Sequence, residues 1–245
     1  MRHASISSLR DRVLHLPQKT VIRRFQSNPD PMSSSIFKKI WMALTGLFLC
    51  VFLLVHLAGN LQLIYGAPED FNAYSQFMTT FPVVKLISYF LYFSILFHAL
   101  WGIWLERQNR AARPVKYVRD LQSSNTTFAG RNMAVLGLLV LIFLVIHMRS
   151  FWYEMHWGDI GLDMNGNKDL YTVTVAAFDR WWYTLFYVIC MIALGIHLSH
   201  GFHSSFQTMG INHRRYSPIL RKLGLWFSVV IPGLFASIPV YFLLT

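Results

Sequence analysis

The sequence predicts an all-α membrane protein with five transmembrane helices. Of its 245 residues, 54% are hydrophobic and only 13% are charged, whereas a soluble domain carries about 25% charged residues. Five apolar runs reach the roughly 20 residues that a membrane-spanning helix needs. None of these runs alternates with a period of two, so helices are the structure that satisfies the backbone in lipid.

The five apolar runs occupy most of the chain after residue 35. They are Ile40–Ile64, Val83–Leu105, Asn132–Phe151, Trp181–Phe206 and Leu223–Leu244. We therefore expect one transmembrane bundle over residues 36–245. Residues 1–35 are basic, rich in serine and poor in acids, which is typical of a transit peptide. Asp11 and Pro17 fit that interpretation poorly and favour a disordered cytoplasmic tail.

Basic residues concentrate in the loops on one side of the spans. Lys38 and Lys39 precede the first span, and the loops after the second and fourth spans are rich in arginine and lysine. The other two loops are mainly acidic, and the one after the third span is expected to be long, from about Trp152 to Asp179. Because loops rich in Lys and Arg stay in the cytoplasm, the N-terminus is predicted inside and the C-terminus outside. This bias accounts for the net charge of +11 without nucleic-acid binding.

Four of the spans each contain a histidine deep within the apolar run: His56, His98, His147 and His197. Ionisable side chains inside a membrane are costly and usually functional. From the helical rise, His56 and His147 lie in the outer half of the membrane and the other two in the inner half, about 10–15 Å away. Two imidazoles at one depth can occupy both axial positions of a haem iron, which suits electron transfer. The sequence therefore predicts an outer pair, His56 with His147, and an inner pair, His98 with His197.

Three points about these histidines stay open. Histidines inside a membrane also form hydrogen bonds between helices, or relay protons together with carboxylates, although these spans hold almost no carboxylates. In the fourth span, His200 lies one turn beyond His197 and is a rival fourth ligand, and His203 lies closer to the inner interface.

The first and third spans share a pattern of small residues. Ala43 and Gly46 in the first correspond to Ala134 and Gly137 in the third, and each glycine precedes its histidine by ten residues. Ten residues of helix cover about 15 Å, which places both glycines near the inner pair. We expect them to let a porphyrin or a neighbouring helix approach closely. Ordinary packing of helices through small residues is the alternative.

The segments around the four histidines resemble the cytochrome b membrane-anchor subunit of succinate dehydrogenase and fumarate reductase. These segments are VFLLVHLAGNLQLIYG around His56, SILFHALWGIW around His98, LIFLVIHMRSFWYE around His147, and GIHLSHGFHSSFQTMG around His197. The resemblance runs from about Ile36 to Thr245 and is closest to the single-subunit, five-helix form with two haems. In that family a glycine and an aromatic residue follow the fourth ligand, as Gly201 and Phe202 follow His197.

The resemblance implies an electron-transfer subunit that holds two haems b in the bacterial cytoplasmic membrane. It implies a flavoprotein with FAD and an iron–sulfur subunit on the cytoplasmic face. This chain has no G-x-G-x-x-G motif for a flavin, and its two cysteines, Cys50 and Cys190, are too few for a cluster. Electrons would pass between the iron–sulfur subunit, the haems and a quinone, with menaquinone expected. The whole complex could form homo-oligomers, and its physiological direction stays open.

Quinone and propionate contacts are less determined. Glu69 is the first candidate for the quinone site, because the family can use a carboxylate near the start of the second span. Arg131, Arg149 and Arg180 lie at interfacial depths where they could pair with haem propionates. Two other functions stay open: the two-haem anchor of a different quinol-linked oxidoreductase, and a haem-free transporter or scaffold.

Overall fold

A computed structural model describes residues 35–112, 127–211 and 213–245. Over these ranges the chain is helical, apart from short connections and one isolated antiparallel bridge between Leu162 and Lys168. Residues 39–245 form one compact unit. Residues 1–38 form another, of which only the last four are described, as the start of the first helix. Residues 1–34 of the tail predicted over residues 1–35 lie outside the described part of the chain, and Ser35 begins the first helix.

The described helices are numbered here in chain order. They are α1 (Ser35–Tyr65), α2 (Pro68–Thr80), α3 (Pro82–Ala111), α4 (Phe128–Arg131), α5 (Met133–His147), α6 (Tyr153–Trp157), α7 (Leu170–Phe178), α8 (Trp181–Thr208) and α9 (Ser217–Leu244). A π-helical turn, Met148–Trp152, joins α5 to α6. Five helical stretches are long and apolar enough to cross a membrane, which confirms the predicted helical class and the five spans: Ile36–Tyr65, Pro82–Ala111, Met133–Trp157, Trp181–Thr208 and Ser217–Leu244.

Several spans are longer than the apolar runs that predicted them. The third continues through the π-turn to Trp157, six residues beyond Phe151, and the fifth begins at Ser217, six residues before Leu223. An apolar run marks only the part of a helix that lipid covers. Backbone hydrogen bonds carry the helix further in both cases, and proline at the start of α9 favours that early beginning.

Helices also form in the connection between the first and second spans and in the connection between the third and fourth spans. We name this end of the bundle the cap end, and the opposite end the tail end. Residues 152–179 were expected to form a long acidic loop, but they contain α6 and α7. A third short helix, α2, follows the first span, where Pro68 opens it and Asp70 accepts a hydrogen bond from the Ala67 amide at 3.3 Å. Proline at the first turn is compatible with a helix start, because that amide has no helical partner.

The cap-end helices α2 and α7 are joined through Asn72, whose side chain is only 1% exposed. Its amide nitrogen donates to Asp169 Oδ1 at 3.0 Å, and its amide oxygen accepts from the Tyr171 backbone N–H at 2.9 Å. Asp169 also caps α7 by accepting from the Thr172 amide at 3.1 Å. Desolvation acts to raise the pKa of the Asp169 carboxyl, but hydrogen bonds from Thr172 and Asn72 outweigh it and lower the pKa.

Helices α8 and α9 pack closely because small residues lie at their contact. A Cβ atom added to Gly195 would lie 2.7 Å from the Ser228 carbonyl oxygen, and one added to Gly224 would lie 2.9 Å from Phe202 Cδ1. The Ser228 carbonyl has no helical donor four residues later, because Pro232 lacks an N–H. The close approach thus places α8, which carries His197, firmly against α9.

The first three spans are much less covered by protein. In the most apolar 18-residue stretch of each, 17%, 11% and 6% of residues are buried, compared with 33% in both the fourth and fifth spans. Lipid, a cofactor or a partner chain must therefore cover most of the apolar surface of these three helices.

Candidate haem-binding sites

The structure brings His56 and His147 together near the cap end. Their ring centroids lie 5.8 Å apart with the ring planes at 89°. An aromatic ring one turn earlier in the same helix accompanies each of them. Phe52 stacks on His56 at 5.0 Å and 19°, and Phe143 lies 5.6 Å from His147 at 30°. The two corresponding segments of the sequence pattern therefore contribute equivalent side chains to this pair.

The second pair, towards the tail end, consists of His98 and His197, with ring centroids 6.5 Å apart and planes at 72°. Glycines lie against both imidazoles. A Cβ atom on Gly46 would lie 3.4 Å from His98 Cε1, and one on Gly137 would lie 3.6 Å from His197 Cε1. The rival ligand His200 lies elsewhere, against Gly130, where an added Cβ would come within 3.0 Å of its Cε1.

The two pairs occupy different levels of the bundle. In α1, Thr45 contacts His98 of the tail-end pair, and His56 of the cap-end pair follows eleven residues later. Eleven residues of helix correspond to about 16 Å. In the third span, Gly137 and His147 mark the same two levels, ten residues or about 15 Å apart.

The spacing within each pair fits a metal held between two imidazoles. An iron bound to one nitrogen of each ring at about 2 Å would set the ring centroids about 6 Å apart. The observed values are 5.8 and 6.5 Å. Within the described ranges no three His, Cys, Asp or Glu side chains come together as metal ligands. Each pair therefore offers two protein ligands, which suits a macrocycle that supplies the other four.

A chain of hydroxyl groups orients His147. Tyr183 donates to Ser150 Oγ at 2.7 Å, so its oxygen accepts from the Tyr187 hydroxyl at 3.2 Å. The Tyr187 oxygen in turn lies 3.2 Å from His147 Nδ1. Since a hydroxyl has one proton to give, this order makes His147 Nδ1–H the donor to Tyr187. The Nε2 atom of His147 is then the nitrogen with a free lone pair.

Thr45 orients His98 in the same sense. Its hydroxyl donates to the Trp41 carbonyl at 2.9 Å and lies 3.2 Å from that of Met42. Its oxygen is 3.1 Å from His98 Nδ1. Because the Thr45 proton is already engaged, the imidazole is the donor in this contact. His98 therefore also carries its proton on Nδ1.

The remaining two imidazoles have no acceptor of this kind. Asn60 donates its side-chain amide to the His56 carbonyl at 2.7 Å, and the same nitrogen lies 3.3 Å from His56 Nδ1. His197 Nδ1 is, among the described residues, the buried side-chain polar atom that lacks a hydrogen-bond partner. A buried unpaired polar atom is costly, so this atom indicates a site that is completed by a further group.

The π-turn begins directly after His147. π-turns inside α-helices occur often at functional sites, because they insert an additional residue and change which face the following side chains occupy. Here the turn carries Arg149, whose guanidinium pairs with Glu154 Oε1 at 2.5 Å and lies 4.4 Å above the Tyr153 ring. Arg149 is therefore at the cap end but already has protein partners.

The other predicted contacts lie at the ends of the bundle. Glu69 is in the first turn of α2, and within the described ranges no hydrogen bond joins it to His56 or His147. Arg180 is exposed at the cap end, where it precedes α8. Arg131 is exposed at the tail end, six residues before Gly137. The structure does not bring Glu69 or the arginines into the histidine pairs.

Sequence reasoning missed the hydroxyl partners Thr45 and Tyr187. The sequence contains a signal for Tyr187, because residues at alternating intervals of four and three share one face of α8. These residues are Tyr183, Tyr187, Cys190, Leu194 and His197. That face leads from the tail-end pair to the cap-end pair.

The chain matches no family model, no curated protein and no solved structure.

Proposed function

We propose that the chain is the di-haem cytochrome b subunit of a succinate:quinone oxidoreductase. His56 and His147 would ligate one haem iron, and His98 and His197 the other. The observation that carries this proposal is the approach of four intramembrane imidazoles as two pairs, at 5.8 and 6.5 Å. Bound haem would supply one-electron transfer, and the helices would position it.

The ligand set favours haem over an ion held by protein alone. Structural zinc sites usually have four protein ligands, and catalytic ones three, whereas each pair here supplies two. Apolar side chains surround the pairs, such as Phe52 and Phe143 beside the cap-end histidines. An apolar slot between helices is the surrounding that a porphyrin face needs.

Orientation and partners belong to the same proposal. The tail end carries the basic residues that predict a cytoplasmic side, namely Lys38, Lys39, Arg107, Arg110, Arg131, Arg214, Arg215, Arg221 and Lys222. The flavoprotein and iron–sulfur subunits would dock there. The cap end would face outwards in a bacterial cytoplasmic membrane, with menaquinone bound near it and Glu69 as the carboxylate to test. Arg149 and Arg180 would serve the propionates at the cap end, and Arg131 those at the tail end.

Spectroscopy of histidine variants tests the ligand assignment. The purified chain is expected to show two b-type components in reduced-minus-oxidised spectra and in a redox titration. His56→Ala and His147→Ala should remove the same component, and His98→Ala and His197→Ala the other. His200→Ala is the matched control and should retain both. A protein without a Soret band, or one whose variants pair differently, would contradict the proposal.

A second measurement tests the assignment to succinate chemistry. Membranes that contain the native complex are reduced with succinate and, separately, with a quinol. We expect succinate to reduce both components, and a competitive inhibitor of succinate binding to prevent it. Reduction by the quinol alone would assign the chain to a different quinol-linked oxidoreductase.

A further inference from the structure

One imidazole of each pair is held by a hydroxyl group, and its partner is not. We propose that Thr45 and Tyr187 are positioning residues that hold His98 and His147, respectively, in the tautomer that leaves Nε2 for a metal. This inference rests on the proposed function, because it assigns the residues that orient the ligands of each haem. Substitution of Thr45 would then change the tail-end site alone, and substitution of Tyr187 the cap-end site alone.

The Thr45 contact is local and directional. Thr45 belongs to α1 and His98 to α3, so their 3.1 Å contact joins two spans. The threonine proton is directed to the carbonyls of its own helix at 2.9 and 3.2 Å, which leaves the oxygen lone pairs facing the imidazole. Gly46, next to Thr45, leaves room for the same ring, because a Cβ atom there would lie 3.4 Å from His98 Cε1. Together these neighbours fix both the tautomer and the position of His98.

The Tyr187 contact is buried and supported by further hydroxyl groups. Tyr187 is 6% exposed and Tyr183 is 8% exposed, so water competes little for either. Ser150, at the end of the chain, accepts from Tyr183 at 2.7 Å and thereby fixes the direction of each proton in turn. In the other His147 tautomer, either the two tyrosine oxygens or Tyr187 and His147 Nδ1 would face each other with no proton between them, so one of these hydrogen bonds would be lost. The chain therefore stabilises the protonated Nδ1.

The hydrogen bond changes the chemistry of the ligand as well as its position. An acceptor at Nδ1–H makes the coordinating nitrogen more basic. A more basic nitrogen favours the ferric over the ferrous ion, so the bond lowers the reduction potential of that site. In the part of the chain that the structure describes, His56 and His197 have no such acceptor, so the tail-end site depends on Thr45 alone for this effect, and the cap-end site depends on Tyr187 alone.

The test measures the midpoint potential of each component in matched variants. Thr45→Val removes the hydroxyl with little change of shape and should raise the potential of the component that His98→Ala removes. Tyr187→Phe should raise the potential of the component that His147→Ala removes. Loss of such a partner typically changes metal affinity about 10–100-fold, and each tenfold change in preference for ferric iron equals about 59 mV for one electron.

Two further variants separate positioning from a general effect on folding. Thr45→Ser retains the hydroxyl and should restore the wild-type potential. Tyr183→Phe retains the Tyr187 hydroxyl but removes its acceptor, so it should shift the cap-end component in the same direction by less. If Tyr187→Phe does not accumulate, Tyr183→Phe alone decides that site.

Three outcomes would overturn the inference: unchanged potentials in the hydroxyl variants, equal shifts of both components in each variant, or failure of Thr45→Ser to restore the potential. Each of these requires a wild-type protein with two components. A wild-type protein without a Soret band would instead refute the proposed function. The two failures are therefore distinguishable in one set of preparations.

Discussion

Replacing Gly46 with leucine is expected to damage the proposed tail-end haem site selectively. A Cβ atom at this position would lie 3.4 Å from His98 Cε1 and 3.8 Å from Ser205 Oγ. Alanine would thus occupy the remaining space, and the additional carbons of leucine would have to displace the imidazole. Overpacking of this kind costs about 1–3 kcal/mol, and 1.4 kcal/mol corresponds to a factor of ten in binding. We expect haem affinity at this site to fall about tenfold to a hundredfold.

The cap-end site should not respond to this substitution. His56 follows Gly46 by ten residues in the same helix, which corresponds to about 15 Å. The assay is a reduced-minus-oxidised spectrum with a redox titration, which reports the amplitude of each component. Gly46→Ala should cause a much smaller loss than Gly46→Leu, because its Cβ comes no closer than 3.4 Å to a neighbouring side chain.

Gly233→Leu supplies the matched control. Gly233 lies inside a membrane-spanning helix, is exposed, and would place its Cβ more than 4 Å from other atoms. It should retain both components at wild-type amplitude. Equal loss of both components in Gly46→Leu, or full retention of the component that depends on His98, would refute the steric reasoning.

Three predictions concern stability and can be measured without haem. Gly195→Ala should lower the midpoint of detergent-induced unfolding by overpacking equivalent to about 1–3 kcal/mol, because its Cβ would lie 2.7 Å from the Ser228 carbonyl oxygen. Asn72→Ala should cost a similar amount at the cap end, because the Tyr171 amide loses a buried acceptor. The Asp169 carboxylate stabilises the docking of α7 at pH values above its ordinary pKa of about 4. The protection of the α7 amides, corrected for the intrinsic pH dependence of hydrogen exchange, should therefore fall as the pH falls through the lowered pKa of Asp169.

Each of these predictions has a control. Gly233→Ala lies in open space and should leave the unfolding midpoint unchanged. Asn165→Ala changes an exposed asparagine of the same cap-end segment and should leave α7 protected. Asp169→Asn should remove most of the pH dependence of protection in α7. Equal effects of a variant and its control would show that the named contacts do not stabilise the fold as described.

Apolar runs and helical rise were sufficient to predict the five spans. A lipid bilayer requires long apolar helices, so the number of spans follows from the number of long apolar runs in the sequence. The depth of each histidine follows from counting residues along a helix, and the structure places His56 beside His147 and His98 beside His197. Gly46 was predicted near the inner pair by the same count, and it lies against His98.

The parts that were missed depend on how helices are rotated about their axes. Thr45 contacts His98, and Tyr187 contacts His147, across different helices, and no single-helix pattern specifies such a rotation. The cap-end helices were missed for another reason. These helices are too short to show a membrane-spanning pattern, so their sequences resemble a loop, and α7 is instead stabilised by its contact through Asn72.

The unequal packing of the spans has a consequence for biogenesis. The fourth and fifth helices are closely packed by Gly195 and Gly224, whereas the first three spans bury only 17%, 11% and 6% of their most apolar stretches. A ligand that binds only the assembled state stabilises that state by an amount that grows with the logarithm of the ligand concentration. We therefore expect the α8–α9 hairpin to form during insertion and the first three spans to pack against it last, as the proposed haems bind. Cells starved of haem would then hold a partly closed chain that membrane proteases can attack.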